Sequence, residues 1–174
     1  TVVINEFLAH TDLPDLDYIE LYNHSTAAVD LSGYWLTDDP ATNKFRIPDG
    51  TVIGPTGCVY FTETTMGFGL SAGGETIFFV NSNQTRVVDS VLFDGQENGV
   101  ATGRYPDGGP GFYRLAARSP GSSNGSMRLP SLVINEIMYN PISDDDNDEF
   151  VEIYNRGTNA VNLTNWRIAG GIDF

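Results

Sequence analysis

Short runs in which apolar or β-branched residues alternate with polar ones recur along the chain, and no stretch of about ten residues carries a helical period. The runs are "TVVINEFLA", "DYIELYN", "VDLSGYWLTD", "KFRIP", "CVYFTE", "ETIFFVN", "RVVDSVLF" and "GFYRLA". Each reads as a strand. Between them stand "PDG", "GPTG", "SAGG", "NSNQ" and "PDGGPG", residue types that set fixed turns and positive φ angles. Strands at this spacing fold into a two-sheet sandwich or a small barrel. Tyr18, Leu21, Tyr22, Val29, Leu31, Trp35, Phe45, Ile47, Val59, Phe61, Ile77, Phe79, Val88, Val91 and Phe93 are the expected core suppliers, about half of them facing inward by alternation.

The pattern also restarts. Val3-Ile4-Asn5-Glu6 matches Val133-Ile134-Asn135-Glu136 at an offset of 130, and Tyr18–Asn23 matches Phe150–Asn155 at 132, so the second loop carries two extra residues. The match continues from Val29–Tyr34 to Val161–Trp166. Gly33 and Asn165 stand at the same place there, both tolerant of a left-handed turn, each followed by an aromatic residue. Agreement of order, spacing and chemistry marks an internal repeat. Residues 118–131, "RSPGSSNGSMRLPS", read as a linker. The expected organisation is a sandwich over 1–125, a linker at 118–131, and the first strands of a truncated second domain over 132–174. A partial sandwich leaves apolar faces and strand edges without partners. Residues 132–174 are therefore expected to pack on the first domain, to swap into a neighbour as an edge-paired homodimer, or to be a remnant without a fold of its own.

The ordered series "VINEF…DYIELYN…VDLSGYWLTD…KFRIPDGTVIGPTGCVYF…GGETIFFVNSNQTRVVDSVLF…GRYPDG…RSPGSSN" resembles the lamin tail domain family. The resemblance covers nearly all of residues 2–125 and resumes at 132. It implies an all-β, immunoglobulin-like sandwich of lamin-tail type, followed by an incomplete second copy. The closing "GRYPDG…RSPGSSN" resembles the bacterial extracellular form of the family, which occurs in tandem beside secreted nucleases, phosphatases or kinase-like domains.

Charge narrows the partners. Acidic residues number 23 against 9 basic ones, a formal charge of −14, and Lys44 is the only lysine. Such a field repels phosphate backbones, and the arginines are spread along the chain, so nucleic acid is not an expected partner. No apolar window is long enough to span a membrane, and "TVVINEF" has no signal-peptide pattern.

Candidate chemistry is sparse. The run "SDDDNDEF" gathers carboxylates between two strands, and Asp144, Asp146, Asp148 and Glu149 are the candidate oxygen ligands for Ca²⁺, the one cofactor considered. The alternative is a solvated acidic loop. The loop "HTDLPDLD" of the first repeat carries Asp12, Asp15 and Asp17 in the same place. Asn5-Glu6 and Asn135-Glu136 recur, as do Glu20 and Glu152, which raises paired-carboxylate catalysis. A duplicated element is more naturally structural, with one strand carboxylate directed to solvent and the Asn closing hydrogen bonds at a strand end. Cys58 is a lone thiol on an apolar strand, and His10 and His24 lie in loops without metal-ligand spacing. No serine sits in a nucleophile elbow, and neither glycine-rich stretch opens a helix with a lysine nearby. Four Asn-x-Ser/Thr triplets, at Asn23, Asn83, Asn124 and Asn162, fall in turns.

No catalytic residue is expected. The reading is a secreted or cell-surface binding or spacer module that meets protein or glycan surfaces or neighbouring repeats. The rival is an accessory domain of a larger enzyme, a nuclease, phosphatase or kinase-like protein, with its catalytic domain outside these residues.

Overall fold

The computed structural model describes residues 1–164 and 166–168. The chain divides into two compact units, Thr1–Arg128 and Leu129–Phe174. In the first unit the strands are β1 (Val2–Leu8), β2 (Tyr18–Asn23), β3 (Val29–Asp30), β4 (Trp35–Thr37), β5 (Phe45–Arg46), β6 (Val52–Ile53), β7 (Cys58–Thr62), β8 (Gly74–Val80), β9 (Val87–Asp94), β10 (Thr102–Arg104) and β11 (Phe112–Arg114). One short helical turn, α1 (Glu63–Met66), follows β7, capped at Thr62 and closed at Gly67. It drops Met66 into the core.

Antiparallel pairing builds a five-stranded sheet in the order β11-β10-β1-β2-β7 and a four-stranded sheet in the order β5-β4-β8-β9, with β3 and β6 as a separate pair. The strands form where the sequence supplies alternating Val, Ile, Leu, Phe and Tyr, residues that fit a pleated, half-buried surface. Ile4, Phe7, Ile19, Leu21 and Phe61 of the larger sheet meet Leu36, Phe45, Ile77, Phe79, Val91 and Phe93 of the smaller one in a single buried cluster. Aromatic pairs cross between the layers, Phe7 with Phe93 at 4.5 Å and Phe45 with Phe61 at 5.1 Å between ring centroids. Of the two architectures the strand pattern allows, this is the two-sheet sandwich, of the immunoglobulin-like type that the family resemblance implies.

Three details differ from the sequence reading. "VDLSGYWLTD" is not one strand: a turn in which Tyr34 N–H donates to the Leu31 carbonyl separates β3 from β4, and Gly33 takes φ 76° within it. The expectation for Asn165 lies outside the described residues. β10, absent from the runs read as strands, pairs with β1 in the larger sheet. The segment 118–131 is not a free linker, because its first half is bonded into the first unit, as set out below. Of the expected core suppliers, Tyr22, Val29, Trp35, Val59 and Val88 are only half-buried.

The second unit carries β12 (Leu132–Met138), a 3₁₀ turn at Asp146–Asp148, and β13 (Phe150–Asn155). β12 pairs with β13 antiparallel, and the register shifts between Ile134 and Glu136. β1 and β2 show the same shift between Ile4 and Glu6. The two hairpins are thus alike pair for pair, from Val2 opposite Asn23 and Leu132 opposite Asn155 onward.

Phe79 is fully buried between the sheets, whereas Leu92 on edge strand β9 is 77% exposed. Phe79→Ala should destabilise the first unit by about 3–5 kcal/mol in denaturant unfolding. Leu92→Ala should change it by no more than about 0.5 kcal/mol. Equal effects at the two positions would contradict the assignment of the core.

Candidate functional site: a buried carboxylate clamp and its exposed counterpart

The bulge in β1 sets up the site. An extra residue in one strand turns its neighbours out of simple alternation and leaves backbone groups outside the ladder. Here Asn5 and Glu6 are both fully buried, and Glu6 stands opposite Glu20 on β2, which is fully buried too. The expectation that these carboxylates face solvent is overturned. Glu6, Leu8, Tyr18 and Glu20 lie on the face of the larger sheet away from the main core, where Leu8, Tyr18 and Ala101 form a second small cluster. Residues that follow β11 cover that face.

Burying a carboxylate is costly unless its oxygens find donors. Glu6 Oε1 accepts the Tyr18 hydroxyl and, at 3.0 Å, the Ser119 N–H, while Glu6 Oε2 accepts the Ser119 hydroxyl at 2.5 Å. Glu20 Oε1 accepts from Asn5 Nδ2 at 3.2 Å, and Glu20 Oε2 from the Gly121 N–H at 2.7 Å. Asn124 closes the ring of contacts. Its Nδ2 donates to the carbonyls of Asn5 and Arg104 at 3.2 and 2.9 Å, and its Oδ1 accepts from the Ser119 hydroxyl at 3.1 Å. Asp107 Oδ1 accepts from both Asn5 Nδ2 and the Asn124 N–H at 2.9 Å. The stretch "SPGSSN" is therefore a strap held by two buried acids.

Two glycines are required by this geometry. Gly121 adopts φ 82°, which a β-carbon strains. A β-carbon at Gly103 would meet Asn124 Nδ2 at 2.7 Å and the Asn5 carbonyl at 2.9 Å, so a side chain there would lift the strap.

An ion pair that joins the two sheets fixes the bulge. Arg104 Nε donates to the Ile4 carbonyl at 2.8 Å, and Arg104 Nη2 meets Asp89 Oδ2 at 3.0 Å. The same Asp89 oxygen accepts the Ile4 N–H at 2.9 Å. The guanidinium also lies 4.4 Å from the Phe112 ring centre. Both backbone groups of Ile4 are thereby satisfied across the two sheets.

Burial pushes the Glu20 carboxyl up to about 7, and the nearby Glu6 adds to that push, while the donors Gly121 and Asn5 pull it back. Burial and then its bond to Glu6 drive the Tyr18 hydroxyl above the usual phenol range, so it stays a donor. Burial, with Glu20 beside it, pushes the Cys58 thiol up to about 12, which removes it from nucleophilic chemistry near neutral pH. His10 Nδ1 lies 2.8 Å from the Gln96 carbonyl, and His24 is exposed.

In the second unit the Asn-Glu-Glu set recurs in the open. Asn135 Nδ2 donates to Glu152 Oε1 as Asn5 does to Glu20, yet Asn135, Glu136 and Glu152 are all exposed. The candidate calcium ligands Asp144, Asp146, Asp148 and Glu149 lie exposed in the β12–β13 loop. Asp145 caps the 3₁₀ turn through the Asn147 N–H at 2.9 Å, and Ser143 donates to Asp148 at 2.5 Å. Among the described residues no group of three or more His, Cys, Asp or Glu side chains converges to hold a metal ion. Of the loop's carboxylates, Asp145 and Asp148 serve these local turns.

The folded Glu20 carboxyl takes its proton at a higher pH than an unfolded one, so its contribution to stability is full below about pH 4.5 and is lost as pH rises through about 7. Glu20→Gln should flatten the dependence of the unfolding free energy on pH over that window. A parallel pH profile for parent and variant would refute this. Gly121→Val should destabilise the first unit at every pH, seen as a lower Tm, by about 1–3 kcal/mol from strain at a positive φ.

The model of the Lamin Tail Domain family matches residues 1–95 and 126–173. No curated protein and no solved structure matched in the same comparisons. The first matched stretch holds the bulged β1, β2 and most of the sandwich, and the second holds the hairpin that repeats them. Sequence pattern, sheet order and family match agree: the chain belongs to the lamin tail domain family.

Proposed function

We propose that the chain is a non-catalytic binding or spacing module of a secreted or surface-attached bacterial multidomain protein, and that residues 132–174 open a second lamin-tail copy. One observation carries the tandem reading: local contacts of the first hairpin recur position by position in the second. Asn23 Nδ2 donates to the Ala27 carbonyl at 2.7 Å, and Asn155 Nδ2 donates to the Asn159 carbonyl at 2.8 Å. The Tyr34 N–H donates to Leu31, and the Trp166 N–H to Leu163. The Ser32 N–H donates to Asp30, and the Thr164 N–H to Asn162. Sequence similarity alone does not require such bonds to recur.

Presentation by a rigid scaffold is the mechanism this fold supports. Loops at the ends of a sandwich and its exposed strands offer contact surfaces, while the inner layers hold them in place. The two carboxylates that most resemble an acid–base pair are sealed under a strap, which favours a structural use. The strongly negative charge favours protein or glycan partners over nucleic acid. Among the described residues no helix is long and apolar enough to cross a membrane.

The reading is tested with the purified chain and with residues 1–128 alone. Both should bind saturably to members of a glycan or extracellular-protein array, and both should leave nuclease and phosphatase substrates intact. Turnover that co-purifies with the chain, or a salt-dependent DNA complex, would overturn the proposal. Residues 1–128 should also unfold in one cooperative transition.

A further inference from the structure

The first unit carries seven basic side chains, and six of them meet a carboxylate: Lys44, Arg46, Arg104, Arg114, Arg118 and Arg128. Arg86, which stands just before β9, has no such partner among the described residues. It lines a cavity of about 190 Å³ together with Thr37, Asn43, Phe78, Gln84 and Thr85. No acidic residue lines that cavity, in a chain that carries 23 of them. We propose that the cavity binds one carboxylate-bearing sugar of an acidic glycan. Arg86 takes the carboxylate, Phe78 the apolar face of the ring, and Asn43, Gln84 and Thr85 the ring hydroxyls. This rests on the reading of a non-catalytic module with glycan partners and adds to it a sugar chemistry.

The strand pleat sets the floor. Ile77 and Phe79 are fully buried in the core, so Phe78 between them turns to the outer face of the smaller sheet, where it is half-buried. Its ring offers an apolar surface to the C–H face of a sugar. Two connections supply the walls: residues 38–44 between β4 and β5, and residues 81–86 between β8 and β9. Thr37, buried at the end of β4, donates its hydroxyl to the Thr42 carbonyl at 2.6 Å and braces the first. Asn81 Oδ1 accepts the N–H groups of Thr85 and Arg86 at 3.0 and 3.1 Å and fixes the second. Asn43 Nδ2 donates to Gln84 Oε1 at 3.1 Å and joins the two. Gln84 sits at φ 60°, a left-handed conformation that a non-glycine residue keeps only where its surroundings impose it. The walls are thus set by the protein's own bonds, which lowers the ordering cost of binding.

The donors left over select the ligand. Among the described residues no acceptor meets the Arg86 guanidinium or the Gln84 amide nitrogen. A guanidinium is a planar fork that matches a carboxylate through two parallel bonds. The cavity is smaller than the roughly 300–1,000 Å³ of pockets for drug-sized ligands, a size that suits a single sugar ring. A net charge of −14 disfavours a dense polyanion, so the carboxylates of the glycan are expected to be isolated along it.

The test titrates methyl glucuronide and methyl galacturonide into the isotopically labelled full chain and follows backbone amides by NMR. Saturable shifts are expected at Asn43, Phe78, Thr85 and Arg86, with a Kd of about 1–10 mM for at least one of the two. Methyl glucoside and acetate, which carry the ring and the carboxylate separately, should each bind about tenfold more weakly. Arg86→Gln should weaken binding about tenfold, and Arg86→Lys, which keeps the charge and loses the fork, by less. Arg114→Gln removes the same charge from the larger sheet and should leave binding unchanged. No saturable shifts with either glycoside, equal binding of methyl glucoside or acetate, shifts away from the cavity, or indifference to Arg86→Gln would each overturn the proposal. If the glycosides fail while the chain still binds members of the glycan or protein array, the module reading stands alone. Release of methanol from either glycoside, by hydrolysis of its glycosidic bond, would overturn both.

Discussion

Two carboxylates buried side by side govern this sandwich. Glu6 and Glu20 sit opposite each other with no solvent contact, and neither can be held there without donors. The hairpin that carries them cannot supply enough: Tyr18 and Asn5 satisfy only part of the need. The remainder comes from Ser119 and Gly121, about a hundred residues away in sequence. A polar requirement, not an apolar one, thus decides where the chain returns after its last strand. The same requirement explains why residues rich in Ser, Gly and Pro are ordered through Asn124, since their backbone and hydroxyl groups are the needed donors.

The bulge that creates this requirement also joins the two layers. It frees the N–H and carbonyl of Ile4, and the Arg104–Asp89 pair answers both, Arg104 from the larger sheet and Asp89 from the smaller. Truncating either member would leave the other buried without its partner, a loss larger than the net worth of the pair. The apolar core gives the sandwich its cohesion, while these few polar contacts fix which edge closes on which. In the hairpin β12–β13 the bulge is present, but Ile134 is 57% exposed.

The all-β class and most of the inner layer were legible in the sequence, because alternation and turn residues report directly on strands. Phe79, Ile77 and Leu21 follow from period alone. The clamp was not legible. Alternation assigned one strand glutamate to solvent, and nothing local shows that a bulge and a distant strap bury it. "RSPGSSN" has the composition of a linker, and composition cannot reveal that Ser119 and Gly121 have specific acceptors. β10 was lost for a related reason: Gly103 is there to admit Asn124, so the residue that permits the contact also breaks the strand signal. The recurrence of Asn-Glu at both bulges and of Glu at both partner strands was the one available clue. It pointed rightly to structure and wrongly to solvent.

The strap also bears on how the chain is made. A ribosome releases β1 and β2 first, and their carboxylates must stay hydrated until Asn124 has left the exit tunnel. At about 5–20 residues per second, that wait lasts on the order of 5–20 s. Through that interval the nascent hairpin is open to any segment that offers the same donors, including the equivalent stretch of a neighbouring nascent chain.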